Sequence, residues 1–359
     1  MKKLLAILVV SILVLTGCGN SSAGKTVIGV SMPTKDHQRW IQDGDYLKKE
    51  FEAKGYKVLL QYSQDDEAKQ AEVIENMIAQ NADVLIVAAT NGSALGSPLQ
   101  TAADNDIPVV AYDRLLTNTP NVTSYVTFDN ELVGHMQGKY IIDQLGLDLN
   151  DKSESYNLEI FSGSEGDSNS GYFYSGAMAE LQPYIDAGIL KVLSGQTTLA
   201  QTATPVWASD KAQERMDNIL TAYYSGGKKV DAILASADCL SEGIIPSLIS
   251  AGYTDADWPI VTGQDCDVAS IKYIKDKKQS MSIFKDTSAL AAKTVDVTEA
   301  ILAGEEPEYN NTTTYDNGEF VVPAILLDPV LVTEANIQEV LIDSGYYTQE
   351  EIDAGKVEE

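Results

Sequence analysis

From Lys25 onward, short β-branched runs alternate with amphipathic stretches at intervals of about 25 to 30 residues, the rhythm of βαβ units and a parallel sheet. The first strands are expected at Thr26–Ser31, Lys57–Tyr62, Asp83–Ala89 and Ile107–Tyr112, whose near-continuous hydrophobicity suits strands covered on both faces. Between them, Trp40, Leu47 and Phe51 share one helical face ended by Gly55. Val73, Ile74, Met77 and Ile78 form another behind the acidic start Asp65-Asp66-Glu67. The alternation resumes at Asn157–Phe161, Lys191–Ser194, Val230–Ser236, Ile260–Thr262 and Ser280–Phe284. Two successive five-strand sets predict an α/β protein of two lobes, each a doubly wound parallel sheet, with a cleft between them.

The first residues set the compartment. Lys2 and Lys3 precede an apolar run, Leu4–Leu15, that is too short for the roughly 20 residues a spanning helix needs; this is the pattern of an export signal. Leu15-Thr16-Gly17-Cys18 is similar to a bacterial lipobox, which implies a signal peptide over 1–17 and a mature chain lipidated at Cys18. Residues 18–25 then form the lipidated Cys and a short polar tether. The expected location is the outer face of the cytoplasmic membrane, at the cell surface or in a periplasm, with attachment through lipid.

Charge narrows the partners. With 53 acidic against 25 basic side chains the formal charge is −28, a field that repels nucleic acid. The two histidines, His37 and His135, make no ligand cluster, and no phosphate-binding loop, zinc motif or nucleophile elbow occurs. No metal or cofactor is expected. Cys239 and Cys266 each follow a strand-end Asp, so in an oxidising compartment a disulfide between them is conceivable if the two residues lie close enough.

In doubly wound sheets ligands bind beyond the carboxyl ends of the strands, and there this sequence places polar residues. Asp113-Arg114 follow Ile107–Tyr112, Asp238 follows the Val230 strand, Gln264-Asp265 follow the Ile260 strand, and Lys285-Asp286 follow Ser280–Phe284; the loop after the first strand carries Arg39-Trp40. Such a set suits a monosaccharide. A carboxylate accepts from neighbouring hydroxyls, a guanidinium donates through its fork, and an indole lies against the apolar ring face. Of three Trp, Trp40 and Trp207 fall in expected loops of different lobes, and Trp258 is assigned to packing.

The motifs Arg39-Trp40, Ile74–Met77, Ala111–Arg114, Thr127–Asn130, Gly263–Asp265, Phe284–Asp286 and Asp343–Tyr347 occur in one order over about residues 26–347. In that order the chain resembles the sugar-binding proteins of bacterial ABC importers, in the xylose-binding and multiple-monosaccharide-binding branch of the ribose/galactose group. The resemblance implies a type I periplasmic-binding-protein fold with a three-crossing hinge. It implies an N-terminal lobe of 26–127 plus 287–322 and a C-terminal lobe of 128–286 plus 323–359, with crossings near Thr127–Asn130, Lys285 and Val322-Pro323. Carried over by residue, it implies that Arg39, Asp113 and Arg114 reach a sugar from the first lobe, that Asn169, Trp207, Asp265 and Lys285 reach it from the second, and that Trp40 stacks opposite Trp207. Two positions depart from the pattern: Ser168, where relatives often carry Asn, and Ala237, where they carry Asn or a bulkier polar residue. The implied partners are a monosaccharide and an ABC permease with its ATPase, and a monomer is expected.

Two other functions share these features. A sensory receptor would capture the same sugar and present its closed form to a membrane kinase or chemoreceptor. A glycosidase would use Asp113 and Asp265 as an acid–base pair, but the cations beside them favour ionised carboxylates that bind rather than an acid held protonated. A repressor core is excluded by the expected export signal and the lack of a helix-turn-helix ahead of residue 26.

Overall fold

The computed structural model describes residues 25–357. The expected signal peptide, Cys18 and most of the tether lie outside the described residues. The first half runs β1 (Val27–Met32), α1 (Gln38–Ala53), β2 (Lys57–Tyr62), α2 (Glu67–Ala79), β3 (Val84–Val87), α3 (Gly96–Asp104), β4 (Val109–Tyr112) and β5 (Ser124–Phe128). These strands pair in parallel in the order β5-β4-β3-β1-β2. All residues of β3 and β4 are buried, so their runs carry no polar alternation. At the edge, β2 leaves Lys57 and Gln61 exposed. Asp66 caps α2 by accepting from Lys69 N at 2.9 Å, and Gly55, at φ 92°, takes the left-handed turn that ends α1.

The chain crosses after β5 into α4 (Asn130–Leu145), then β6 (Tyr156–Phe161), α5 (Asn169–Asp186), β7 (Leu190–Lys191), α6 (Leu199–Thr202), a 3-10 turn at Pro205–Trp207, α7 (Ser209–Tyr223), β8 (Ala232–Ala235), α8 (Asp238–Ser250), β9 (Ile260–Val261), α9 (Val268–Lys275) and β10 (Ser282–Phe284). The second sheet has the order β7-β6-β8-β9 and is parallel. Helices α4 and α5 pack at glycines: a Cβ on Gly134 would lie 2.0 Å from Phe173 O, and one on Gly176 would lie 2.1 Å from Glu131 O. That close approach sets α5 against its sheet.

The chain returns to the first lobe with α10 (Thr287–Ala303), which packs on α1. It adds β11 (Ala324–Leu327) beside β5, making a six-stranded sheet, and then places β12 (Val330–Val332) antiparallel to β10 and ends with α11 (Gln349–Ala354) against α9.

The expectation of two five-strand sets is corrected here. Among the described residues the first sheet holds six strands and the second four, with β10 and β12 attached through a Gln264–Ile283 bridge. The expected strand at Lys191–Ser194 stops at Lys191, because Ser194 turns its N–H and hydroxyl onto the buried Glu159 carboxylate at 3.2 and 2.6 Å. Val322-Pro323 precedes β11, and the chain leaves the first sheet at Asp328-Pro329 instead.

Candidate functional site

In both sheets the strand order reverses between two neighbours, β1/β3 in the first and β6/β8 in the second, and loops at those carboxyl ends border a ligand crevice. The two crevices face each other. Their shared cavity is lined by Arg39, Trp40, Asp113, Arg114, Asn169, Trp207, Asp265 and Lys285, so all eight expected residues meet in one place.

Arg39 is the central cation. It lies in the first turn of α1, where Asp43, one turn further on, accepts from Nε and Nη2 at 3.1 and 3.0 Å. Nη2 also donates to Asp113 Oδ2 at 2.9 Å, and Nη1 reaches across the cleft to Asp265 Oδ1 at 3.2 Å. Lys285 meets the same two carboxylates from the other lobe, 3.7 Å from Asp113 and 3.1 Å from Asp265. The neighbouring Asp286 caps α10 through Ser288 N and Ala289 N, so one residue of the pair ends a helix and the other faces the cavity. Arg114 donates to Ala89 O at 2.9 Å and lies 2.9 Å from Asp167, an ion pair whose Nε geometry is too bent for a hydrogen bond.

Each lobe contributes an indole to the wall. Trp40 belongs to α1 rather than to a loop, and its ring lies against both guanidiniums, 4.3 Å from Arg39 Cζ and 4.9 Å from Arg114 Cζ. Trp207 sits edge-to-face on Phe173 and donates from Nε1 to Asp167 Oδ2 at 3.2 Å. Trp258 packs beside the core and donates to Lys278 O, as expected. Asn169 starts α5 and reaches across to the first lobe, donating to Asp113 O at 2.7 Å, with its Oδ1 3.0 Å from Tyr125 OH.

Several wall residues hold sparsely populated backbone conformations: Asp113 at φ 58°, Trp207 at 59° and Asp265 at 92°. Left-handed conformations cost free energy for non-glycine residues and concentrate where a side chain must be aimed. Three donors fix the Asp113 kink by converging on its carbonyl: Tyr125 OH at 2.6 Å, Thr127 Oγ1 at 2.9 Å and Asn169 Nδ2.

The lobes are closed on each other. His37 meets Val206 O at 3.3 Å, Gly92 N donates to Gly166 O at 3.1 Å, and Gln38 Oε1 accepts from Val268 N at 3.2 Å.

Asp43, Asp167, Phe173 and Asp267 were not singled out from the sequence, and Gln264 was named only as a polar residue at a strand end. Asp43 carried a signal in its i,i+4 spacing from Arg39; Asp167 carried none beyond its place in Asp167-Ser168-Asn169. The conceivable disulfide is absent: Cys239 and Cys266 are free and buried. The two thiols pack into different cores, Cys239 with Met216 and Leu240, Cys266 with Ile271, Phe284 and Tyr347.

Burial shapes the titration of these acids. It pushes the Asp43 carboxyl up to about 6 against the pull of Arg39, and it raises Asp238 and Asp267 among their acidic neighbours. Burial also opposes ionisation of Asp113, but Arg39, Lys285 and Arg114 outweigh it and hold that carboxyl below the usual range. The raised acids bind more protons folded than unfolded, so the contribution of Asp43 is lost as pH climbs from about 4 through about 6 and those of Asp238 and Asp267 are lost in the same direction, whereas that of Asp113 is lost only as pH falls below about 4. Sugar-free protein is therefore expected to melt at a higher temperature near pH 5 than near pH 7. A melting temperature that rises across that interval contradicts the burial of these acids.

A family model described as a periplasmic binding protein domain matches residues 28–306. The chain is 49% identical over 327 residues to the multiple sugar-binding periplasmic protein SbpA of Azospirillum brasilense, covering 90% of each chain. It is 33% identical over 330 residues to the D-xylose-binding periplasmic protein of Escherichia coli, covering 92% and 93%. Among solved structures, an ABC transporter solute binding protein from Clostridium phytofermentans with bound β-D-glucose is 46% identical, with a TM-score of 0.88 over 91% of this chain and 100% of that one. The chain belongs to the periplasmic binding protein family, in the branch of the multiple-sugar-binding and D-xylose-binding proteins. A member of that family is a binding protein, not an enzyme.

Proposed function

We propose that this protein captures a pyranose monosaccharide of the xylose, glucose or galactose type in the closed interlobe cavity and delivers it to a membrane permease driven by an ATPase. One observation carries the reading: Arg39, Asp113 and Arg114 from one lobe and Trp207, Asp265 and Lys285 from the other line the same gap. Ring hydroxyls suit such paired charges, because each hydroxyl both donates and accepts. Ligand favours closure because only the closed state offers both sets of partners, with hinges at Asp129, Lys285-Asp286 and Asp328-Pro329. Capture and closure break no covalent bond of the sugar. The carboxylates Asp113 and Asp265 share Arg39 and Lys285, which suits ionised acceptors and disfavours the protonated acid of a glycosidase. The same capture would serve a sensory receptor, and a permease-deficient strain separates the two roles.

Export and lipid attachment at Cys18 complete the reading, supported by the Leu15–Cys18 motif and by the relatives named as periplasmic. A thermal-shift panel of xylose, glucose, galactose, arabinose and ribose tests binding, since a ligand of the folded state alone raises the melting temperature by mass action, by about 2.7 kcal/mol of stability at a hundred times Kd. The expected result is a shift with at least one of the first three sugars. No shift with any of the five would overturn the monosaccharide reading, and recovery of Cys18→Ser protein in the membrane fraction would overturn the anchor.

A further inference from the structure

Asp267 lines the cavity but stands apart from its other carboxylates. Asp113, Asp167 and Asp265 each hold a cation. Among the described residues the Asp267 carboxylate has no hydrogen bond or ion pair, and its Oδ1 is buried without a partner. A buried polar atom left in that state costs about 1 to 3 kcal/mol.

The local backbone makes this more telling. Asp267 is the N-cap of α9, where an Asp side chain ordinarily accepts from an amide of the first turn, yet it makes no such bond. The first helical amide, Val268 N, is instead satisfied from the opposite lobe by Gln38 Oε1. The Asp267 N–H is held by Asp238 Oδ2 at 2.9 Å, and Asp238 is itself fixed by Ser282 Oγ and Gln279 Nε2. Left-handed conformations at Asp265 and Cys266, φ 92° and 54°, turn the loop so that Asp265 and Asp267 reach the cavity while the Cys266 thiol enters the core. The same cavity wall includes the methyl group of Ala237 and the weakly polar thiol of Cys239, which feels the Asp267 charge.

We infer that Asp267 is a further ligand-contacting residue, exchanging a hydrogen bond with one sugar hydroxyl at the Ala237–Cys239 side of the closed cavity. The inference rests on the monosaccharide reading above. Burial beside Glu242, Asp238 and Asp265 pushes the carboxyl up from its usual range, which favours the form that can donate as well as accept.

Calorimetric titration of wild type, Asp267→Ala and Asp267→Asn with glucose and with 2-, 3-, 4- and 6-deoxyglucose tests it, with thermal melts confirming that each variant folds. The expected result is a loss of about tenfold or more in glucose affinity for Asp267→Ala, equal to about 1.4 kcal/mol, with a smaller loss for the isosteric Asn. For one deoxy sugar, wild type and Asp267→Ala should bind alike, because the hydroxyl that met the carboxyl is gone. An unchanged glucose affinity, or the same fold-loss for every deoxy sugar, would overturn the inference and leave a purely structural role. Wild type that binds none of these sugars would instead remove the reading on which it depends.

Discussion

Asp113→Ala is expected to weaken sugar binding at least a hundredfold and to destabilise the protein by about 3 to 5 kcal/mol. The Asp113 carboxylate is 4% exposed and sits between Arg39 at 2.9 Å and Lys285 at 3.7 Å. Removing it leaves both cations facing one fewer buried anion, and breaking a buried pair from one side costs about that much. Each charge-assisted hydrogen bond lost to a ligand adds about 1.5 to 3 kcal/mol, so two of them account for the fall in affinity. Asp113→Asn separates charge from backbone. Asn tolerates the left-handed conformation at φ 58° far better than Ala does, so the Asn variant should recover part of the stability and little of the affinity. Calorimetry and thermal melts read the two effects, and an unchanged Kd in both variants would place the ligand elsewhere.

Trp207→Ala should reduce affinity by a comparable factor and cost about 3 to 5 kcal/mol of stability, the usual range for truncating a buried aromatic. The indole is 6% exposed, belongs both to the core of its lobe and to the cavity wall, and orients Asp167 through Nε1. Its place depends on a glycine. A Cβ on Gly163 would lie 2.0 Å from Trp207 Cζ2 and Cη2 and 2.5 Å from Ser170 Oγ, so Gly163→Ala must displace the ring. That variant is expected to weaken binding in the same direction with the indole still present, and tryptophan fluorescence should report the displaced ring. Wild-type affinity in Gly163→Ala would mean that the position of the indole is immaterial to the ligand.

The lobes and the strand-end residues were legible because both follow from local pattern. Apolar runs such as Val84–Val87 and Ala232–Ala235 announce buried strands, and a charge abutting them, as at Asp113, Asp265 and Lys285, departs from the pattern visibly. What escaped the sequence depends on long-range geometry. Strand β11 joins β5 from about 200 residues away, and no local signal told Ala324–Leu327 from a strand of the other lobe. Asp167 and Asp267 resemble any loop or cap aspartate until the second lobe is in place. Of the two readings of Trp40, the helical face shared with Leu47 and Phe51 matches the structure and the loop does not, because the helix begins at Gln38, where Arg39 pairs with Asp43. The pairing of Cys239 with Cys266 failed because adjacency of strand ends says nothing about which core each thiol enters.

Two lobes sharing one small ligand would be seen directly in a crystal structure grown with glucose. The expected density is a pyranose within hydrogen-bond distance of Asp113 and Arg114 on one side and of Asp265 or Lys285 on the other, its ring face on Trp207. A sugar held by a single lobe, or seated in a surface cleft such as that lined by Thr204, Lys211 and Arg215, would contradict it.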